Sequence, residues 1–464
     1  MITMKFGGTS VGDIQRLRNV VSIVQSCLPM KPAVVASAMA GVTDTLLETA
    51  HLSVQRETEK VKNNFEALKE THSHVADTLI RNPESKKELI GRQSALFEEL
   101  ANLYRGVGLL KELSPRSLDA IASFGEILSC LQISAILIDN GIQAEFIDAR
   151  KVIRTDARFG EAVVNFSVTN PGIREIIPPL VDRNIVPVIT GFIGSTETGL
   201  TTTLGRSGSD YTGSIIGAAT NSTEIWIWTD VDGVMTADPR YVKGARVLQA
   251  ISYREAAEMS YFGAKVIHPK TMLPAIEHNI PIRIKNTFNP SHPGTLISSS
   301  APQTEQIVKN VTSIDHLSLV AIEGNGMLGV PGVSARIFTT LARIKVNVMM
   351  ISQASSEHNV CIVIPQKDSE NAVSSLQTEF KADISEKNID DIKLQTDVSI
   401  IAIVGERMKG TRGIAGKAFS ALAEVGVNVV AIAQGSSEFN ISLVVEQEDA
   451  PKAVQAIHDA FLTL

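Results

Sequence analysis

An internal repeat constrains this chain more than any other feature. Gly324, Met327, Gly332, Phe338, Asn347, Gln353, Ser355, Ser356, Glu357 and Asn359 each recur 81 residues later. Their counterparts are Gly405, Met408, Gly413, Phe419, Asn428, Gln434, Ser436, Ser437, Glu438 and Asn440. One offset serves both ends of the unit, so no gap is needed and a duplicated module follows. Each copy reads as strand (317–323; 398–404), glycine loop, helix, strand (346–352; 427–433), turn, strand and helix. That βαββα order predicts a small α+β sandwich with ferredoxin-like wiring. The two copies either share a continuous sheet or dock side by side.

The first 300 residues follow another rule. Runs at 33–37, 144–148, 185–190 and 224–228 are short and rich in β-branched or aromatic residues. Between them lie helical patterns, such as the single face formed by Ile14, Leu17, Val20, Val21 and Val24. This alternation predicts a mostly parallel sheet covered by helices on both faces. Residues from about 50 to 114 are charged, hold one proline (Pro83), show helical spacing without strands, and are expected to form a helical insertion. The apolar stretch 120–138 carries Glu126 and several serines and ends at Asn140-Gly141. It reads as a buried helix, not a membrane span.

Composition narrows the function classes. Lys and Arg total 43 against 50 Asp and Glu, a net charge of −7, which gives nucleic acid no electrostatic attraction. Cys27, Cys130 and Cys361 are far apart and form no CxxC pair. A disulfide framework or thiolate metal site is not expected, and a reducing cytosol fits. The first residues lack a signal-like apolar run, so a cytoplasmic location is expected.

Four features carry chemistry. Lys5-Phe-Gly-Gly-Thr-Ser-Val-Gly12 sits between a predicted strand and a helix, where glycines let phosphate reach backbone N–H groups. Asp13 stands where a Walker lysine belongs, so this is not a P-loop, and a tight turn alone would also favour these glycines. Thr201-Thr-Thr-Leu-Gly-Arg-Ser-Gly-Ser-Asp-Tyr211 joins hydroxyls, glycines, Arg206 and Asp210 ahead of a small-residue helix. Arg206 suits two-point contact with a carboxylate; a capped loop with a solvated arginine is the plainer alternative. Thr229-Asp230 and the acids up to Arg240 follow a strand end, where α/β sheets bind ligands and where Asp/Gly turns are also common. Glu126 in an apolar helix needs a cation or hydrogen bonds, supplied by a ligand ammonium or by a structural arginine. Gly324-Asn-Gly-Met-Leu-Gly329 imitates a dinucleotide fingerprint, but its copy Gly405-Glu-Arg-Met-Lys-Gly410 loses the second glycine. His268 and His278 lack metal-ligand spacing and read as structural or surface residues.

With these residues assembled, the chain resembles the aspartate kinases over essentially its whole length. The resemblance rests on Lys5-Phe-Gly-Gly-Thr-Ser-Val, Ser123-Phe-Gly-Glu126, Gly205-Arg-Ser-Gly-Ser-Asp-Tyr211, Thr229-Asp230 and Phe262-Gly-Ala-Lys-Val-Ile-His-Pro269, in that order. It implies an amino-acid-kinase (carbamate-kinase-like) αβα sandwich over 1–300, with a mostly parallel sheet and the insertion at about 50–114. Two α+β ferredoxin-like ACT domains would follow at 313–390 and 396–464.

By the same resemblance Lys5 and Asp210 would be catalytic, Lys5 neutralising the transferring phosphoryl group and Asp210 orienting Lys5 or magnesium. Lys5, Gly7, Gly8, Thr229, Asp230, Met235, Arg240, Lys265 and Val266 would bind ATP. Thr43, Glu126, Arg206, Ser207, Gly208 and Ser209 would hold L-aspartate, with Arg206 on its α-carboxylate and Glu126 near its ammonium. Asn347, Gln353, Asn428 and Gln434 would contact an effector, threonine or lysine. Mg2+ would come with ATP, held mainly by its phosphates with no direct protein ligand. A homodimer or higher homo-oligomer through the ACT domains is implied, with no nucleic-acid or membrane partner. Ser207 stands where the family usually has glycine, and Met235 where many members have tyrosine.

The chemistry fits this set. An aspartate side chain, with pKa about 3.9, is already ionised at neutral pH, so no protein base is required. Two anions must instead be aligned and their charge neutralised. The rival readings are another amino-acid kinase, such as glutamate 5-kinase or acetylglutamate kinase, and an inactive amino-acid sensor. The kinase half of a bifunctional protein with homoserine dehydrogenase also fits.

Overall fold

The structure is a computed structural model that describes the chain except residues 265–266, 300–305, 328–329, 354–358, 436 and 463–464. It divides into two compact units. The first comprises Met1–Val234, Gln249–Tyr253 and Ile267–Ala301; the second comprises Met235–Leu248, Arg254–Val266 and Pro302–Leu464.

The first unit is built on strands β1 (Ile2–Phe6), β2 (Pro32–Ala36), β3 (Ala144–Ile147), β4 (Val186–Thr190), β5 (Ile193–Ser195), β6 (Thr201–Thr203), β7 (Ile225–Thr229), β8 (Ala250–Ser252), β9 (Ile282–Asn286) and β10 (Thr295–Ser298). Eight of them form one sheet in the order β3-β4-β2-β1-β7-β9-β10-β8; β5 and β6 form a separate hairpin. Every neighbouring pair in the large sheet is parallel except β9 with β10. In β1, β2 and β4 every residue is buried. Their near-continuous apolar sequences therefore follow from a sheet covered on both faces.

The covering helices are α1 (Ile14–Cys27), α2 (Val42–Gln55), α3 (Thr58–Leu79), α4 (Pro83–Leu110), α5 (Pro115–Asp139), α6 (Phe166–Asp182) and α7 (Gly208–Ala219). The expected insertion is helical, and Pro83 begins α4 with Asn82 capping it from the side chain. Leu17, Val20, Val21 and Val24 of α1 are buried, as their spacing predicts. Helix α5 has the length and mean hydropathy (1.8) of a membrane span, yet 89% of that window is buried inside the protein. It is a core helix, and it ends where expected, at Asn140 and a left-handed Gly141.

In the second unit the repeats share a continuous sheet. Its strands are β11 (Asn310–Glu323), β12 (Met350–Gln353), β13 (Asn359–Pro365), β14 (Asp391–Val404), β15 (Ala431–Ala433) and β16 (Asn440–Glu446). They lie in the order β12-β13-β11-β14-β16-β15. The long strands β11 and β14 start seven residues earlier than their apolar runs predict, because each crosses into the other copy. Asn310 pairs with Val404 and Glu323 with Asp391, so each copy of the strand runs antiparallel to its duplicate. The crossing point is a register shift near Leu317, and His316 and its repeat equivalent Asp397 both take positive φ, 59° and 55°. The second strand of each copy is shorter than expected, four and three residues.

The exchange is visible in the two cores of this unit. Ile389 and Ile392, before and at the start of β14, pack with Val320, Ile322 and Leu376 of the first copy. Val308 and Val311 pack with Ile401, Ile403 and Leu443 of the second. Gly332 and Gly413 precede the equivalent helices Val333–Arg343 and Ile414–Glu424 with φ of 99° and 86°, a conformation that explains why both copies carry glycine.

Candidate active site

The site lies beyond the carboxyl ends of β1, β2, β4 and β7 in the first unit, as expected for an open parallel sheet. Lys5 is the penultimate residue of β1, and its side chain is 8% exposed. Its stem packs on Gly213 of α7 and its ammonium lies against Gly7. Lys5 Nζ meets Asp210 Oδ1 at 2.5 Å. Asp210 sits in the first turn of α7, whose N-terminus has no side-chain cap. A lysine, a glycine turn at Gly8–Ser10 and this helix start form a setting for negative charge.

Beside them is a cavity of about 540 Å³. All six residues expected to hold the acceptor, Thr43, Glu126, Arg206, Ser207, Gly208 and Ser209, line it, together with Gly8. Glu126 forms part of its floor and is 4% exposed. Its Oε1 accepts the Ala38 N–H at 3.2 Å, while Oε2 is buried without a partner among the described residues. Burial pushes the Glu126 carboxyl up to about 8, although the Ala38 N–H and the charge of Lys5 both pull it down. Gly125 explains how the helix comes so close: a Cβ there would lie 2.8 Å from the Ala38 side chain. Arg206 is exposed at the rim and has no side-chain partner among the described residues. Ser207 adopts φ +56°, a left-handed conformation that glycine takes without strain.

Further along the sheet edge, Thr229 ends β7 and its hydroxyl donates to Asp230 Oδ1 at 3.2 Å. Met235 and Arg240 belong to the second unit, where the Met235 carbonyl accepts from Asn310 and Arg240 pairs with Asp238 at 2.6 Å. Lys265 and Val266 lie outside the described residues. Asn347, Gln353, Asn428 and Gln434 are all exposed in the second unit, and Asn347 Nδ2 contacts Met349 Sδ. Among the described residues no group of three or more His, Cys, Asp or Glu converges as a metal cluster would. His268 caps the helix Pro269–Glu277, which is the structural role its spacing suggested.

Sequence reasoning missed Ser37, Ala38, Gly160 and Phe192, which also line the cavity. Ser37 follows β2 directly and its hydroxyl donates to Ser209 Oγ at 2.8 Å. Its place after a strand was the available signal; Gly160 and Phe192 carried none, because only the fold brings their loops here.

Comparison with known proteins agrees with this architecture. Residues 1–286 match the amino acid kinase family, and residues 320–380 and 401–461 each match the ACT domain. Bifunctional aspartokinase/homoserine dehydrogenase 2, chloroplastic, of Arabidopsis thaliana is 38% identical over 477 residues, covering 98% of this chain and 50% of that protein. The chain thus spans about half the length of several curated relatives it matches. Aspartokinase 3, chloroplastic, of the same plant is 35% identical over 469 residues, with 99% of this chain and 81% of that protein covered. The crystal structure of E. coli aspartokinase III with aspartate and ADP superposes with a TM-score of 0.81 at 30% identity, covering 100% of both chains. The same enzyme in complex with lysine and aspartate gives 0.80. With the parallel sheet, the tandem ACT modules and matches along its whole length in agreement, the chain belongs to the amino acid kinase family and, within it, to the aspartokinases.

Proposed function

We propose that the chain transfers the γ-phosphoryl group of ATP to the side-chain carboxylate of L-aspartate, giving 4-phospho-L-aspartate. One observation carries this reading: the six acceptor residues expected from the sequence line a single cavity beside the Lys5–Asp210 pair. Glu126 Oε2, buried and without a partner among the described residues, suits the substrate ammonium, and Arg206 suits its α-carboxylate. Thr43 and Ser209 would supply hydroxyls, and Ser207 and Gly208 backbone contacts. The reacting carboxylate would then face Lys5, whose charge offsets the negative charge of both reactants. Acceptor and phosphoryl donor are aligned and neutralised, and no protein base acts.

On the donor side, Gly7 and Gly8 would admit phosphates, while Thr229, Asp230, Met235, Arg240, Lys265 and Val266 would contact the nucleotide. Magnesium prefers oxygen ligands and keeps much of its water. Phosphate oxygens would hold it, with the Asp210 carboxylate ordering its surroundings; when bound it neutralises phosphate charge. We place the catalytic domain at 1–300 and the two ACT domains at 313–390 and 396–464.

The ACT pair would sense an end-product amino acid, threonine or lysine, through Asn347, Gln353, Asn428 and Gln434 in a homo-oligomer. The lysine complex of E. coli aspartokinase III supports that type of ligand. The chloroplastic relatives make a plastid as compatible a setting as cytosol.

The test is aspartate-dependent ATP turnover with magnesium, trapping acyl phosphate with hydroxylamine, with and without threonine or lysine. Trapped product with aspartate and none with glutamate is expected, lowered by one effector. Absence of turnover in folded protein would instead favour an amino-acid sensor.

A further inference from the structure

We propose that Asp119 is a positioning residue that fixes the turn carrying Arg206 relative to Glu126, and so sets acceptor affinity. This rests on the acceptor reading above. Asp119 lies in the second turn of α5 and is 3% exposed. Its carboxylate accepts the Gly160 N–H at 2.9 Å, the Thr203 N–H at 2.9 Å and the Thr203 hydroxyl at 2.8 Å. No cation pairs with it among the described residues. A buried carboxylate held by several N–H and O–H donors at this length is a short, directional tether.

Both tethered segments form the cavity rim. Gly160 lines it directly, and Thr203 is the last residue of β6, immediately before Leu204, Gly205 and Arg206. The segments are also joined to one another, since the Ala162 N–H donates to Thr203 O at 2.9 Å. A Cβ on Gly205 would sit 3.2 Å from Gly160 O, so the turn carrying Arg206 rests on the 160 loop.

The ammonium side of the site is fixed by the same helix. Glu126 is seven residues after Asp119, two turns further along nearly the same face and about 10 Å along the axis. Helix α5 thus presents Glu126 to the floor and, through Asp119, holds the turn that carries Arg206. If Glu126 takes the ammonium and Arg206 the α-carboxylate, their separation is set by one rigid element.

The experiment compares Asp119→Asn and Thr203→Val with the wild-type chain. In Asp119→Asn an amide donor faces N–H donors; Thr203→Val removes only the hydroxyl donor. The expected result is a KM for aspartate raised about tenfold or more in Asp119→Asn and less in Thr203→Val, with kcat and the KM for ATP within about twofold. Amide hydrogen exchange should quicken at 157–163 and 203–208 while β1 and β2 keep their protection. Unchanged aspartate KM with unchanged exchange overturns the proposal, and so does a parallel loss of kcat, both KM values and global stability. Should wild-type protein fail to phosphorylate aspartate, the acceptor reading falls, and the exchange measurement still decides whether Asp119 tethers the rim. If Asp119→Asn does not fold, Thr203→Val carries the test.

Discussion

Lys5 Nζ and Asp210 Oδ1 stand 2.5 Å apart, the first from the carboxyl end of β1 and the second from the first turn of α7, with side chains 8% and 18% exposed. The pair is held from both sides: Gly213 leaves room for the lysine stem, and Gly7 for its ammonium. An ammonium fixed this way can meet developing phosphoryl charge without reorganising at the moment of transfer. Lys5→Met should therefore lower kcat by about 10²–10³ with a much smaller change in the KM for aspartate. Asp210→Asn should lower kcat less, because the lysine stays but loses its fixed direction. Steady-state kinetics beside circular dichroism checks both; a loss of kcat matched by loss of fold would count against the assignment.

Glu126 gives a pH prediction. Burial raises its carboxyl from the ordinary 4.5 to about 8 in the ligand-free site. Between those values the folded chain holds a proton that the unfolded chain has lost, so the unfolded state binds fewer protons and stability falls as pH rises. Below about 4.5 both states are protonated, and above about 8 the effect levels off. Glu126→Gln should remove this slope from a plot of unfolding free energy against pH. Aspartate, by bringing an ammonium to Oε2, should drive close to one proton off the enzyme at pH 7. Calorimetry in buffers of different ionisation enthalpy measures that release, and its absence would argue that the ammonium lies elsewhere.

Ser207 offers a stability test in the opposite direction. Its φ of +56° is held by the turn between Gly205 and α7. A residue with a Cβ pays for that conformation and glycine does not. Ser207→Gly is expected to stabilise the chain by about 0.5–1 kcal/mol despite the greater freedom of glycine when unfolded. Urea unfolding should show a higher midpoint at unchanged slope. A lower midpoint would mean that the serine hydroxyl contributes more than the backbone costs.

How much of this was legible in the sequence depended on whether the signal was local. The strands around 33–37, 185–190 and 224–228 appear within one residue of expectation, because a strand buried on both faces is apolar throughout. Glu126 and Arg206–Ser209, which the short motifs Ser123–Glu126 and Gly205–Asp210 single out, all line one cavity. Asp119 and Gly160 were not legible, because Asp119 finds its partners Gly160 and Thr203 at separations of 41 and 84 residues, and neither Asp119 nor Gly160 stands in a motif. Glu255 shows the same limit. Its carboxylate takes Lys309 Nζ at 3.0 Å and the Glu406 N–H at 2.9 Å, partners 54 and 151 residues away. The repeat was plain, but whether the copies share a sheet was not. That depends on residues 310–316 and 391–397, whose mixed polarity does not read as strand until the partner copy is present.

That exchange of strands makes the last prediction. The first ACT copy takes Ile389 and Ile392 into its core, and the first part of β14 pairs with Leu319–Glu323 of β11. The second copy takes Val308 and Val311 in return. Neither copy is therefore complete within its own span of sequence. A chain ending at Lys387 would lose two buried isoleucines from the first copy and leave one edge of β11 without its ladder, next to Val320 and Ile322. Unpaired apolar edges of this kind recruit other chains. Such a truncation should aggregate, whereas the full chain should not. Removing residues 450–462, the last helix, should be milder for the first copy, because among the described residues that helix contributes to the core of the second and not to that of the first. Size-exclusion chromatography with light scattering separates the outcomes. A monodisperse chain ending at Lys387 with a cooperative unfolding transition would show that the first copy folds alone, and that the exchange of strands is not needed for its stability.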